Sequence, residues 1–167
     1  MRLRGFDYAR DGAFFITICT DGRRFMLGDI IDGEFMPTDL GKTASWCWAD
    51  IPDHFQNVII DEFVVMPNHF HGILFIQHEA AGTACRAPTA EEFSKPVCDS
   101  LPTVVRSYKA AVTKSAHELG LCSGAVWQRG YYERVIRRES ELYNTRKYIR
   151  DNPLGWDTDP ENIEKVR

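Results

Sequence analysis

The run MPNHFHGILFI (66–76) constrains this chain more than any other segment. Alternate residues of a β-strand project to the same face, so His69 and His71 share one side while Phe70 points to the other, into the core. The flanking VVM and GILFI segments read as strand, and the two strands meeting at Pro67-Asn68 are expected near the middle of a sheet. Two imidazoles on one face of a rigid strand are half of a divalent-metal site. Neutral imidazole nitrogen suits Mn²⁺ and Zn²⁺, whereas Mg²⁺ is usually bound through oxygen. The pair alone also fits histidines that are merely hydrogen-bonded in a strand, so the second half of the site has to be sought elsewhere.

The rest of the chain supplies a frame for that strand. AFFITICT (13–20) alternates and reads as a first strand. A turn-rich stretch follows, with a short hairpin expected around its Asp-Gly pairs. From Asp39, a candidate N-cap, LGKTASWCWADI has a helical pattern stopped by Pro52. Residues 57–67 and 69–77 read as two strands. Residues 78–101, rich in Ala, Thr and Pro without a sustained period, read as a flexible excursion. SLPTVVRSYKAAVTKSAHELG (100–120) predicts a helix with Val105, Ala111 or Val112, and Leu119 inward and Gly120 at its end. Residues 126–137 read as an approach loop and strand. ESELYNTRKYIRDNP (139–153) predicts a final helix stopped by Pro153, leaving a short tail over 154–167. The order β, α, β, β, α, β, α fits one domain over 1–167. Its class is α+β, a ferredoxin-like split-βαβ fold with an antiparallel sheet and helices on one face.

A chain of 167 residues suits a single core. Its apolar runs are too short or too acidic to span a membrane, so no membrane role is expected. The five cysteines are scattered and never spaced as CxxC. That excludes a disulfide framework or zinc knuckle as the basis of the fold and favours a reducing cytoplasm. The net charge of −4 is unevenly spread. Between Ser100 and Arg150 there are ten Lys or Arg against four acids, a local charge of +6. A basic stretch on an acidic protein is the footprint of a phosphate-binding face or, more plainly, of solvated helix surfaces.

Tyr148 and Asn152 stand four residues apart near the end of the last predicted helix, on one helical face. Asn152 can offer a side-chain carbonyl to a metal; it also suits a helix terminus before proline. A phenol with its usual pKa near ~10 is a poor nucleophile at neutral pH unless a cation or base assists it. A buried core tyrosine is the plainer reading of that residue taken singly.

Together, MPNHFHGILF, SYKAAVTK, VWQRGYYERVIR and KYIRDNP resemble, in that order, the single-tyrosine HUH transposases. Within them the chain is most similar to those associated with repetitive extragenic palindromes. The resemblance runs from FFITICT to Pro153. It implies the HUH-endonuclease version of the ferredoxin-like fold and an enzyme that nicks and rejoins single-stranded or hairpin DNA through a 5′-phosphotyrosine intermediate. It also implies Mg²⁺ or Mn²⁺ held by His69, His71 and Asn152, and Tyr148 as the nucleophile. The basic stretch would then contact the DNA backbone, with Arg106, Lys109, Arg129, Arg134, Arg137 and Arg138 as candidates and Trp127 or Tyr132 available for base stacking. Relatives include both lone subunits and dimers, so a homodimer stays open. A DNA partner would associate the protein with the nucleoid. Two other readings fit the same residues: a non-catalytic nucleic-acid-binding domain, and a metal-dependent phosphoesterase in which water attacks.

Overall fold

A computed structural model describes residues 10–77, 100–159 and 161–162. In chain order the elements are β1 (Gly12–Cys19), β2 (Gly28–Ile31), β3 (Glu34–Pro37), α1 (Asp39–Ala49), α2 (Ile51–His54), β4 (Val58–Val65), β5 (His69–Ile76), α3 (Leu101–Glu118), β6 (Tyr132–Ile136) and α4 (Glu139–Asp151). The main sheet has four strands in the order β4-β5-β1-β6, with every neighbouring pair antiparallel. β1 reaches β4 through α1, and β5 reaches β6 through α3, so two interleaved βαβ units form the expected ferredoxin-like α+β fold. β5 is central, paired to β1 and β4, whereas β4 lies at the edge. Only one of the two strands flanking Pro67 is therefore interior.

Side-chain alternation along β1 and β5 creates two different faces. Phe14, Ile16 and Ile18 of β1 and Phe70, Leu74 and Ile76 of β5 join one core with α1 and α3. The rings of Trp48, Phe70 and Tyr108 meet there at centroid separations of 4.6–5.4 Å. Gly72 belongs to this packing: a Cβ at that position would come within 2.7 Å of the Trp48 ring. α3 turns Val104, Val105, Tyr108, Val112 and Ala116 inward at helical spacing. Leu119 is not among them; it caps the helix and is 66% exposed.

The other face is covered by α4, through Ile73, Ile136 and Ile149 with Phe15 and Leu142 packed alongside. The helices therefore occupy both faces, α1, α2 and α3 on one side and α4 on the other, in place of the single-sided arrangement. The reason lies in β5 and β1, whose His69, His71, Ile73, Phe15 and Thr17 would otherwise lie open to water. A one-residue register shift between Ile60 and Phe63 bulges β4 at Asp61 and Glu62. Their carboxylates hold Arg146 at 2.7 Å and Arg150 at 4.0 Å, fixing α4 along that edge.

Smaller differences have equally local causes. Thr38, not Asp39, caps α1: its hydroxyl accepts from the Gly41 N–H at 3.1 Å, while Asp39 pairs with Lys42. The expected hairpin is β2–β3, turned at Asp32 and Gly33, both at positive φ. Residues 78–99 of the predicted excursion lie outside the described residues. Ser100 and Leu101, the last residues of that expected excursion, are instead buried at the start of α3, as its N-cap and first residue.

Candidate active site

The two imidazoles sit under α4 with their ring centroids 4.5 Å apart. Asn68 settles the protonation of the first. Its Nδ2 donates to the backbone carbonyls of Glu161 at 2.7 Å and Arg23 at 3.3 Å. That fixes the amide so that Oδ1 faces His69 Nδ1 at 2.9 Å. An oxygen can only accept, so Nδ1 carries the proton and Nε2 keeps its lone pair. His69 is fully buried, and its Nε2 finds no hydrogen-bond partner among the described residues. On His71, Thr17 Oγ1 engages Nδ1 at 2.8 Å from the adjoining strand, which again directs Nε2 into the site.

Burial also keeps both rings neutral. Desolvation carries His69 well below the usual imidazole pKa, with the neighbouring His71 and Arg23 adding to the effect. It takes His71 down to about 4, partly offset by a hydrogen bond to the Ile16 backbone. Lone pairs offered by neutral, oriented imidazoles are what a metal ion requires.

α4 brings the tyrosine to them. The Tyr148 hydroxyl lies 3.3 Å from His71 Nε2, and its ring rests edge-on to Phe15. Phe15 in turn stacks on His71 with centroids 5.2 Å apart. Tyr148 is 45% exposed, so the phenol is wet on one side and reachable by a large substrate. It is thus no core residue. Its pKa is raised chiefly by partial burial, then by the nearby carboxylates of Asp159 and Glu161; a hydrogen bond with Asn152 pulls the other way. Asn152 is buried beside it, and its Oδ1 has no partner among the described residues.

The largest departure from the sequence reading is Asp159. It follows a 3₁₀ turn at Trp156–Thr158 that folds the start of the tail back over the site. Trp156 seats the turn, buried against Phe25 and tilted over His69. Ligand atoms of His69, His71 and Asp159 then lie within 4.8 Å of one another. Glu161, on the same segment, pairs with Arg23. Nothing about Asp159 in the sequence separates it from other acids, because its proximity is created by the turn. Asn68 carried a clue, being adjacent to the pair, but it reads first as a turn residue.

These residues fit a divalent cation. Two neutral nitrogens and one carboxylate make a mixed donor set that Mn²⁺ accepts readily and Mg²⁺ tolerates, and the Asn152 amide oxygen lies beside Tyr148 with no partner among the described residues. The Asp159 carboxylate, which burdens the Tyr148 phenol, would be neutralised by the same ion.

The six predicted phosphate contacts do not form one surface. Arg134, on β6, lies in a cavity of about 620 Å³ that opens from His71 and Tyr148. Its guanidinium donates to Thr145 at 2.8 Å and lies 5.5 Å over the Phe15 ring. Arg106 and Lys109 lie on α3, which packs on the opposite face of the sheet. Lys109 is already engaged, donating to the carbonyls of Gln128 and Gly130 at 2.7 and 2.8 Å. Arg129, Arg137 and Arg138 are exposed. Of the two stacking candidates, Trp127 is buried in the α1–α3 core, whereas Tyr132 is 53% exposed at the cavity. No described helix is long and apolar enough to cross a membrane.

No protein-family model matches the chain. An uncharacterized protein of Haemophilus influenzae is 37% identical to it over 163 residues, which is 95% of this chain and 89% of that protein. A solved structure of a REP-associated tyrosine transposase bound to a REP hairpin is similar with a TM-score of 0.61 and 19% identity, covering 92% of this chain and 73% of the other. A putative transposase from Deinococcus radiodurans gives a TM-score of 0.48 and 17% identity over 90% and 96% of the two chains. The chain therefore belongs to one family with the Haemophilus influenzae protein, and its fold is that of the REP-associated tyrosine transposase.

Proposed function

We propose that this protein is a sequence- or hairpin-specific single-stranded DNA endonuclease and strand transferase, a transposase-type enzyme with Tyr148 as its nucleophile. The observation that carries the reading is the 3.3 Å approach of the Tyr148 hydroxyl to His71 Nε2, made within one chain. A tyrosine that is half exposed, beside two buried imidazoles whose lone pairs are directed into the site, is poorly explained by packing alone.

In this reading His69 and His71, with Asp159 and Asn152 as oxygen donors, hold Mg²⁺ or Mn²⁺. The bound ion would polarise the scissile phosphate and offset the charge that develops there. Asn68 sets the tautomer of the His69 ring, and Thr17 fixes the orientation of the His71 ring. Phe15 sets the angle of the Tyr148 ring, and Asn152 supports its hydroxyl. The phenol loses its proton, its oxygen bonds to phosphorus, and the 3′ oxygen leaves as a hydroxyl. The resulting 5′-phosphotyrosine conserves the energy of the broken phosphodiester, so a second 3′-hydroxyl can reverse the step. Arg134, with the exposed Arg129, Arg137 and Arg138, supplies charge for the DNA backbone. Arg106 and Lys109, on the far face, would meet only DNA that wraps round the sheet.

The test is to incubate the protein and Mn²⁺ with labelled single-stranded hairpins from the DNA flanking its gene. A covalent protein–DNA adduct is expected on a denaturing gel, absent in Tyr148→Phe. Multiple turnover without an adduct would move the assignment to a phosphoesterase using water. Tight hairpin binding with no cleavage would leave a non-catalytic binding domain.

A further inference from the structure

Glu161 does not touch the imidazoles, yet its N–H, its carbonyl and its carboxylate all end on residues that frame them. The N–H donates to Asp159 Oδ1 at 2.7 Å, which aims that carboxylate and leaves it lone pairs for an ion. The carbonyl accepts from Asn68 Nδ2 at 2.7 Å, the bond that turns Asn68 Oδ1 toward His69. The carboxylate pairs with Arg23 and accepts from the Cys19 thiol at 3.7 Å. Arg23 grips the same amide from the other side, its carbonyl accepting from Asn68 Nδ2 at 3.3 Å.

Two features set this ion pair apart from an ordinary surface contact. The Arg23 and Glu161 side chains are only 29% and 23% exposed, so water screens them less. Arg23 also has a φ of 54°, in the left-handed region that L residues seldom enter. Such a conformation persists where the surroundings fix it. Here the Arg23 carbonyl holds Asn68 and its guanidinium holds the returning tail.

We propose that Arg23 and Glu161 are positioning residues for the cation: their ion pair clamps the segment after α4 onto the turns that end β1 and precede β5. The inference rests on the reading of His69, His71 and Asp159 as metal ligands. Neither clamp residue reaches the ion. Docking of the segment completes the donor set in two ways at once. It delivers the Asp159 carboxylate, and it locks the amide that keeps the Nε2 lone pair of His69 in the site. When the segment lifts, Asp159 leaves and Asn68 loses one of the contacts that tell its oxygen from its nitrogen. Linkage requires the converse: an ion held by Asp159 keeps the segment down, by the same factor. Cys19 reports that state, since it lies opposite His69 on β1, is 3% exposed, and ends under Glu161.

The experiment uses the whole protein without DNA, with Mn²⁺ alone as the probe and free Mn²⁺ counted by its paramagnetic resonance. Glu161→Gln and Arg23→Gln should each weaken Mn²⁺ binding about tenfold. The double variant should be no weaker than either, because the two side chains act as one pair. Arg23→Lys keeps the charge and should keep most of the affinity. Melting curves without metal confirm that each variant is folded. Labelling of Cys19 by a thiol reagent, followed by peptide mass, should be about tenfold faster in metal-free Arg23→Gln than in wild type, and Mn²⁺ should slow it in both. Loss of a cation beside the thiol by itself disfavours the thiolate, so the acceleration measures opening. Equal Mn²⁺ affinity in wild type and the Gln variants would overturn the clamp and leave the metal site standing. Affinity that rises when the pair is broken would also overturn it, and make the segment a mere cover. Wild-type protein that takes up no Mn²⁺ would overturn the metal reading and the clamp together.

Discussion

β5 serves both faces of the sheet, and the two faces are built on opposite terms. Toward α1 and α3 it presents Phe70, Leu74 and Ile76, fully buried in a dry aromatic core. Toward α4 it presents His69 and His71, equally hidden but polar, beside a cavity and beneath a small cluster of apolar contacts. The first face stabilises the fold by removing apolar area from water. The second spends part of that stability on desolvated imidazoles and an unpartnered amide oxygen. Rigid placement of a polar site depends on the apolar side of the same strand, because Phe70 sits between the two histidines and anchors both.

That contrast predicts which substitutions harm chemistry and which harm folding. Tyr148→Phe should abolish adduct formation, a loss of at least about 10³-fold, with no change in melting temperature; residual adduct would point to another nucleophile. Phe70→Ala should do the opposite. It removes a ring packed on Trp48 and Tyr108, costing about 3–5 kcal/mol in a denaturant titration.

Acid should act through the polar face. The folded-state pKa of His71 is held down to about 4, so the unfolded chain binds protons first. In protein stripped of divalent ions, its contribution to stability is complete above pH ~6.5 and is lost as pH falls toward about 4. The difference between wild type and His71→Gln across that range should reach about 2–3 kcal/mol; a flat difference would mean the ring is wetter than the structure shows. The metal should give an effect of similar size. Saturating Mn²⁺, at about a hundred times its dissociation constant, should raise stability by about 2.7 kcal/mol. His69→Ala and Asp159→Ala should each remove most of that gain in a thermal shift. If only His69→Ala does so, Asp159 is a neighbour and not a ligand.

The periodicity of the strands and of α3 and α4 was legible because each buries a face, and burial writes a repeat of two or 3.6 into the residues. The His69–His71 pair could be read for the same reason: a spacing of two on a strand fixes a common side whatever else the chain does. Tyr148 and Asn152 could be paired by helical spacing, and the fold then set the Tyr148 hydroxyl beside His71 with Asn152 next to it. The basic stretch was harder to read, because charge along the sequence does not record partners. Lys109 is spent on carbonyls, Arg146 and Arg150 on β4, and Arg106 on a different face.

By itself, then, the sequence determined the elements, the split-βαβ order and the facing of each side chain within its own strand or helix. These follow from local stereochemistry and from burial of alternating residues. Only the tertiary structure decided that α4 covers the face opposite α1 and α3, that Asn68 orients His69, and that the tail turns back to bring Asp159 to the imidazoles. Those contacts join residues far apart in the chain. Their energy comes from desolvation and geometry at closure, which leave no periodic trace in the residues that make them.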